Sequence, residues 1–277
     1  MTIQLTEIQK QRLWELNADI DLEKKVFSDA QERNASFKIW ERKLVEEEKQ
    51  RLRNLRNYRY RPLICEIERI LIDKLTEEGF VQVFTPIILA KGSLEKMSIT
   101  AENPLINQVF WVGKSKCLRP MLAPNLYYLL KRLVRLWEKP IRIFEVGPCF
   151  RKESKGSHHS NEFTMLNLVE LGLPEESRAG RLNELVTLLM KAIGISGYRL
   201  VLKPCVVYGE TLDIMTDIEL GSAAMGPHPL DDAWGIVNPW VGLGLGLERL
   251  VMAKEGYRNI QRTGRSLIYL DGVRLNI

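Results

Sequence analysis

Apolar positions recur along the chain at two spacings, and each change of spacing marks a new element. Over the first sixty residues they are sparse and loosely helical: Ile8, Leu13 and Leu16, then Phe27, Phe37, Trp40 and Leu44. No Pro or Gly precedes Pro62, so this stretch predicts polar helix. From Pro62 the stripe thickens. Leu63, Ile64, Ile67, Ile70, Leu71 and Leu75 fall on one helix face, and Gly79 is the expected C-cap. Phe80–Leu89 (FVQVFTPIIL) predicts a strand broken at Pro86, which a strand interior rejects, so Pro86 marks an edge, an end or an interface position. A helix follows Pro124, carrying Leu126, Leu129, Leu130, Leu133 and Leu136. The segments IRIFEVGPCFRKES and EFTMLNLVEL come next, then a helix near 178–194, strand-like chain at 198–225 and 236–246, and helix from about Leu247. Successive strands with helices between them predict an α+β fold on an antiparallel sheet. The expected division is a helical segment, 1–61, and a sheet-based domain, 62–277.

Composition narrows this. Apolar residues make up 45% and charged residues 27% of 277, a globular balance that excludes wholesale disorder. The cysteines Cys65, Cys117, Cys149 and Cys205 lie far apart, which suits neither a zinc site nor a disulfide framework and points to reduced thiols in a cytoplasmic setting. The opening MTIQLTEIQKQ lacks the apolar region of a secretory signal, and no apolar run approaches the ~18–20 residues of a membrane span. The net charge of +5 is modest, but its distribution is uneven. From Lys49 to Arg61 the chain carries Arg51, Arg53, Arg56, Arg59 and Arg61, no acid, and the interleaved Tyr58 and Tyr60. That run is either a solvated helix face or a phosphate-contacting patch.

Three constellations carry candidate chemistry. In FRKES and EFTMLNL, alternation puts Arg151 and Glu153 on one strand face and Phe163, Met165, Asn167 and Val169 on another. If the two strands pair, one surface presents a cation for a phosphate or carboxylate and a plane on which a base could stack. A half-polar hairpin with a salt bridge fits the same pattern. In PWVGLGLGLERL, Trp240, Gly242, Gly244 and Gly246 share a face that is nearly bare after the indole, as if something lies flush against the backbone. Arg249 sits in the first turn of the helix that follows, where the helix dipole favours anions, so its placement hints at a ligand. In DIELGSAAMGP, Glu219 and Ser222 fall on opposite faces of a regular strand. A bulge at Gly221 would bring both oxygens to one side, where with phosphate oxygens they would suit Mg2+.

Together these segments resemble the class II aminoacyl-tRNA synthetases: TPIIL is similar to motif 1, FRKES to EFTMLNL to motif 2, and GLGLGLERL to motif 3. LRPMLAPNLY, VVYGETLDIM and ELGSAAMGP extend the resemblance to the pyrrolysyl-tRNA synthetase family, densely from Pro62 to Ile277. It implies a class II antiparallel sheet flanked by helices, with ATP and Mg2+ as cofactors. Arg151 and Arg249 would be catalytic, on the α- and γ-phosphates. Glu153 would contact the adenine, Phe163 and Arg249 would sandwich it, and Glu219 and Ser222 would ligate Mg2+. The amino acid would be held by Ala123, Leu126, Tyr127, Leu130, Asn167, Val169, Tyr208, Ala224, Trp240 and Gly242, with Ala223 leaving room on the far wall. Asn167 would bond the side-chain carbonyl of pyrrolysine, and the Tyr208 hydroxyl, on a mobile hairpin loop, would reach the substrate's ring nitrogen and α-amine. With tRNA as partner, the stretch Arg51, Arg53, Arg56, Arg59 and Arg61 becomes a phosphate-contacting segment. Lys254, Arg258, Arg262 and Arg265 form a second basic group, and His158 and His159 stand where the acceptor stem approaches or are two solvated loop histidines. The resemblance further implies a homodimer, with Pro86 near the interface, and an N-terminal tRNA-binding domain that is a separate protein or absent. Two other readings compete: a class II synthetase for another apolar or aromatic amino acid, and a catalytically inactive synthetase-like binding protein.

Overall fold

The computed structural model describes residues 2–58, 61–152, 156–157 and 159–277. The chain divides into two compact units, Met1–Pro62 with Ser266–Ile277, and Leu63–Arg265. Among the described residues no helix is long and apolar enough to cross a membrane.

The first unit is built on α1 (Glu7–Glu15) and α2 (Ala30–Asn57). Thr6 starts α1 through a capping box: its hydroxyl accepts from Gln9 N, and the Gln9 side chain accepts from Thr6 N. Asp29 caps α2 by accepting from Glu32 N at 2.8 Å. The sparse apolar stripe closes a small core in which Phe37, Trp40 and Leu44 pack on Leu5, Leu13 and Phe27. The last twelve residues, which the sequence leaves with the larger segment, group here, and Arg274 ion-pairs with Glu15.

The second unit contains a seven-stranded sheet of β1 (Val81–Gln82), β2 (Ile141–Phe150), β3 (Glu162–Leu171), β4 (Arg199–Cys205), β5 (Gly209–Met215), β6 (Glu219–Gly226) and β7 (Trp240–Gly246). Their order is β1-β2-β3-β7-β6-β5-β4, antiparallel throughout except at the edge, where β1 runs parallel to β2. The helices are α3 (Leu63–Glu77), α4 (Ala123–Leu133), α5 (Arg178–Ala192) and α6 (Leu247–Glu255). Gly79 takes a φ of +81° beyond the end of α3, in keeping with its role as a C-terminal stop. The segment expected as one strand from Phe80 to Leu89 is split. Only Val81–Gln82 joins the sheet, and Ile88–Ala90 pairs instead with Lys116–Leu118, because Pro86 has no N–H to continue a ladder.

Alternation sorts the sheet into two faces. Leu166 and Leu168 of β3 and Val241, Leu243 and Leu245 of β7 join the main core with residues of α3, α5 and α6. On the opposite face the β7 positions between them are Gly242, Gly244 and Gly246, in register with Val169, Asn167 and Met165. That face is left open as the floor of a cleft, and α4 walls the small apolar cavity that adjoins it.

Candidate active site

At one end of the cleft the chain gathers charge. Arg151 follows β2, where its Nε donates to Pro120 O at 2.8 Å and its guanidinium carbon lies 5.4 Å from the Phe163 ring centroid. Arg249, in the first turn of α6, donates through Nη1 to Glu219 Oε1 at 3.0 Å and to Glu219 O at 3.2 Å. The β5–β6 ladder slips between Glu219 and Gly221, so the bulge expected at this point is present. Ser222 stands opposite Asp213, and its hydroxyl donates to Asp213 Oδ1 at 2.8 Å. With its hydrogen directed at Asp213, the Ser222 oxygen keeps lone pairs for a further ligand. With Glu219 it makes an all-oxygen donor set that suits Mg2+, whose remaining positions would go to phosphate and water oxygens. Among the described residues no cluster of three or more His, Cys, Asp or Glu could hold a metal ion by itself.

Two buried acids that sequence reasoning did not assign hold this end together. Asp213 is 6% exposed and also accepts from Thr211 Oγ1 at 3.1 Å, with Lys203 Nζ 3.5 Å from its other oxygen. The alternation of Thr211 and Asp213 with apolar Leu212 and Ile214 was the available signal. Glu248 is 2% exposed, and both its oxygens accept from Thr164 N at 2.9 Å. This N–H lies just beyond Met165, the last β3 residue paired with β7, so Glu248 continues the ladder with a side chain and ties α6 to β3. Burial pushes its carboxyl above the usual carboxylate range.

At the other end the cleft turns apolar. A small cavity of about 30 Å³ is enclosed by Ala123, Leu126, Tyr127, Leu130, Val169, Tyr208, Trp240 and Gly242, with Leu168. Tyr208, Trp240 and Gly242 also line the main cleft of about 530 Å³, which Arg151, Phe163, Glu219, Ser222, Ala224 and Arg249 border too. Ala223 and Ala224 both border the main cleft; Ala223 pairs with Leu243 and also joins the helix-covered core, whereas Ala224 stands opposite Gly242. Asn167 is not among the residues lining either cavity. Its half-buried carboxamide lies against Gly244, where an added Cβ would sit 3.3 Å from Oδ1. No described residue hydrogen-bonds this carboxamide.

The aromatic wall is fixed from behind. Tyr127 stacks on Trp234 at 5.4 Å between centroids and meets Trp240 edge-on at 6.0 Å. Tyr127 Oη donates to Asp231 Oδ1 at 2.7 Å, and Trp240 Nε1 donates to Asp231 Oδ2 at 2.8 Å. Burial first, then the neighbouring Tyr208 hydroxyl and Asp231 carboxylate, push the Tyr127 phenol well above its ordinary range. Gly226 is required here, since any Cβ would collide with the Trp240 indole. Asp231, in PLDDAW, is a third buried acid that hydropathy reads as loop.

The remaining predicted residues are scattered. Glu153, Arg59 and His158 lie outside the described residues. Arg51 and Arg53 pair with Glu48 and Glu46 of their own helix at 3.0 and 2.9 Å, while Arg56 and Arg61 are exposed. His159 borders the main cleft. The second basic group is largely absorbed by the fold: Lys254 Nζ donates to Ile193 O at 2.7 Å, Arg262 is buried over the Tyr257 ring, and Arg265 pairs with Glu162 at 3.2 Å.

Comparison with known proteins decides what this cleft belongs to. The family model "tRNA synthetases class II core domain (F)" matches residues 106–270. A pyrrolysyl-tRNA synthetase structure from Desulfitobacterium hafniense is 53% identical over 98% of both chains, with a TM-score of 0.91. The chain belongs to the class II tRNA synthetases, in the pyrrolysyl-tRNA synthetase family. A second pyrrolysyl-tRNA synthetase structure from the same organism is 52% identical to this synthetase, covering 99% of it and 96% of the other chain, at a TM-score of 0.89. A lysine–tRNA ligase of Baumannia cicadellinicola is 35% identical over 108 residues, which is 38% of this synthetase but only 18% of that enzyme's length.

Proposed function

We propose that this synthetase joins pyrrolysine to its cognate tRNA in an ATP-dependent reaction that passes through an aminoacyl-adenylate. One observation carries the substrate reading. An apolar, aromatic-walled cavity opens into a cleft bearing two arginines, and beside it the Asn167 carboxamide lacks any hydrogen bond to a described residue. A long apolar lysine derivative with a side-chain amide satisfies both features. Free lysine does not, because no carboxylate among the described residues lines the apolar cavity to receive an ammonium, and the buried Asp231 behind its wall is already engaged by Tyr127, Trp240 and His228.

In this reading Phe163 and Arg249 flank the adenine, with Glu153 on its edge. Arg151 holds the α-phosphate against the substrate carboxylate, which attacks phosphorus and releases pyrophosphate. Arg249 and Arg151 offset the charge that develops on the phosphates. Glu219 and Ser222 would hold Mg2+, which when bound neutralises phosphate charge and orients the leaving group. A terminal tRNA hydroxyl then attacks the adenylate carbonyl. No strong general base is needed for this second step, so alignment supplies most of the rate. The arginines Arg51, Arg53, Arg56, Arg59 and Arg61 serve as phosphate contacts for tRNA; the exposed Arg53–Glu46 pair is weak enough to yield to it, whereas the acid paired with Arg51, Glu48, is buried. A homodimer with Pro86 near its interface, a separate N-terminal-domain protein as helper and a cytoplasmic location belong to the same proposal.

The test is amino-acid-dependent exchange of pyrophosphate into ATP, comparing pyrrolysine with the common amino acids. Exchange with pyrrolysine and not lysine is the expected result. Exchange with phenylalanine alone would transfer the protein to the second reading, and no exchange at all to a binding protein without catalysis.

A further inference from the structure

Two residues that line neither cavity join three separate segments of the amino-acid site. Asp231 is 1% exposed and accepts three hydrogen bonds: Tyr127 Oη at 2.7 Å on Oδ1, and Trp240 Nε1 at 2.8 Å and His228 N at 2.7 Å on Oδ2. His228 then extends the chain of contacts. Its Nδ1 lies 3.1 Å from Leu230 N, which can only donate, so Nδ1 is the acceptor and the ring proton sits on Nε2. Nε2 lies 2.7 Å from Tyr208 O and therefore donates to it. The Tyr208 ring rests edge-on against both His228, at 5.7 Å, and Trp240, at 6.0 Å. Tyr208 occupies the turn between β4 and β5, Tyr127 comes from α4 and Trp240 from β7. The short stretch His228–Asp231 is thus bonded to all three.

We propose that Asp231 and His228 are positioning residues for amino-acid selection. Asp231 sets the angle of the Tyr127 and Trp240 wall, and His228 holds the Tyr208 turn down over the cavity. Neither reaches the phosphate end, where Arg151, Arg249, Glu219 and Ser222 are held by other partners. The relay therefore acts on amino-acid binding and leaves ATP binding alone. It rests on the proposed function for the identity of the substrate but not for its geometry.

The experiment compares Asp231→Asn and His228→Leu with the unmodified protein in pyrophosphate exchange, with KM measured separately for amino acid and ATP. Asp231→Asn removes the charge that three donors share and is expected to raise the amino-acid KM by roughly tenfold or more, with the KM for ATP held within about twofold. His228→Leu is expected to speed amide hydrogen exchange across Val206–Gly209, a readout that needs no substrate. Equal shifts in both KM values, or unchanged exchange at 206–209, would overturn the relay. Should Asp231→Asn fold poorly, Tyr127→Phe removes one arm alone and must show the same KM split; a shift in both KM values would again refute the assignment. If the unmodified protein exchanges with a different amino acid, the substrate proposal falls, while the same KM split measured with that amino acid still decides the relay.

Discussion

Glu145→Gln tests the network that joins the segment TPIIL to the strand leading into FRKES. Glu145 and Arg119 are each 2% exposed at the side chain and meet at 2.6 Å between Oε1 and Nη1. Arg119 also donates through Nε to Pro148 O at 2.7 Å and through Nη1 to Thr85 O at 3.2 Å. Glu145 accepts from Thr85 Oγ1 at 2.6 Å, and Asn125 Nδ2 donates to Thr85 Oγ1 at 2.7 Å. Glutamine keeps the shape and one acceptor oxygen but leaves the buried guanidinium without a counter-charge. Removing one partner of a buried pair costs about 3–5 kcal/mol. For a domain of this size each kcal/mol moves Tm by about 2–4 °C, so the expected fall is roughly 6–20 °C. Scanning calorimetry on Glu145→Gln reads it directly. Removing both charges, as Arg119→Met with Glu145→Leu, should recover part of the loss, because no uncompensated ion then remains. A single variant within about 1 kcal/mol of the parent, or a double variant no better than the single, would refute the reasoning.

Three shorter predictions follow. Gly244→Ala places a Cβ 3.3 Å from both Asn167 Oδ1 and Met165 Cε, groups that can yield, so the fold should survive while the amino-acid KM rises and the ATP KM does not. Glu248 has a folded pKa raised by burial, so its contribution to stability is present below the ordinary carboxylate pKa and lost as pH climbs through the raised folded value; urea titrations at successively higher pH should show this falling component in the parent and not in Glu248→Gln. Among the thiols, exposed Cys65 should react first with a maleimide, whereas Cys117 and Cys149, buried and pushed up to about 11 and about 12, should label only on unfolding; early labelling of Cys149 would contradict its burial.

What the sequence made legible follows from the range of the interactions involved. The α3 stripe, the pairing of β2 with β3 and the glycine face of β7 are local patterns, and the structure has them where periodicity puts them, although β2 ends at Phe150, one residue short of Arg151. The bulge near Gly221 was half readable: two polar residues three apart share a side only with one, but an ordinary strand end with a solvated acid fits the same letters. The split of Phe80–Leu89 was half readable: Pro86 signalled a break, but the partner of Ile88–Ala90 lies near residue 117, beyond any local window. Asp231 and Glu248 were invisible as site residues for the same reason, and for Asp213 alternation gave only its face. Their donors come from neighbouring strands or distant loops, and a lone acid among apolar residues looks alike whether solvated or triply bonded. Ala223 and Ala224 were indistinguishable until the strand's register fixed which one also packs into the helix-covered core.

The glycine floor also limits how this stretch of chain can change over time. Along Trp240–Gly246 the same seven residues furnish leucines to the interior and bare backbone to the ligand side, by strict alternation. Inserting or deleting one residue would exchange the two sets, driving leucines into the substrate space and hollowing the interior beneath them. Point substitution can drift on either side of this ribbon, but a frame shift of a single position destroys both at once, so its length is held more tightly than any one of its letters.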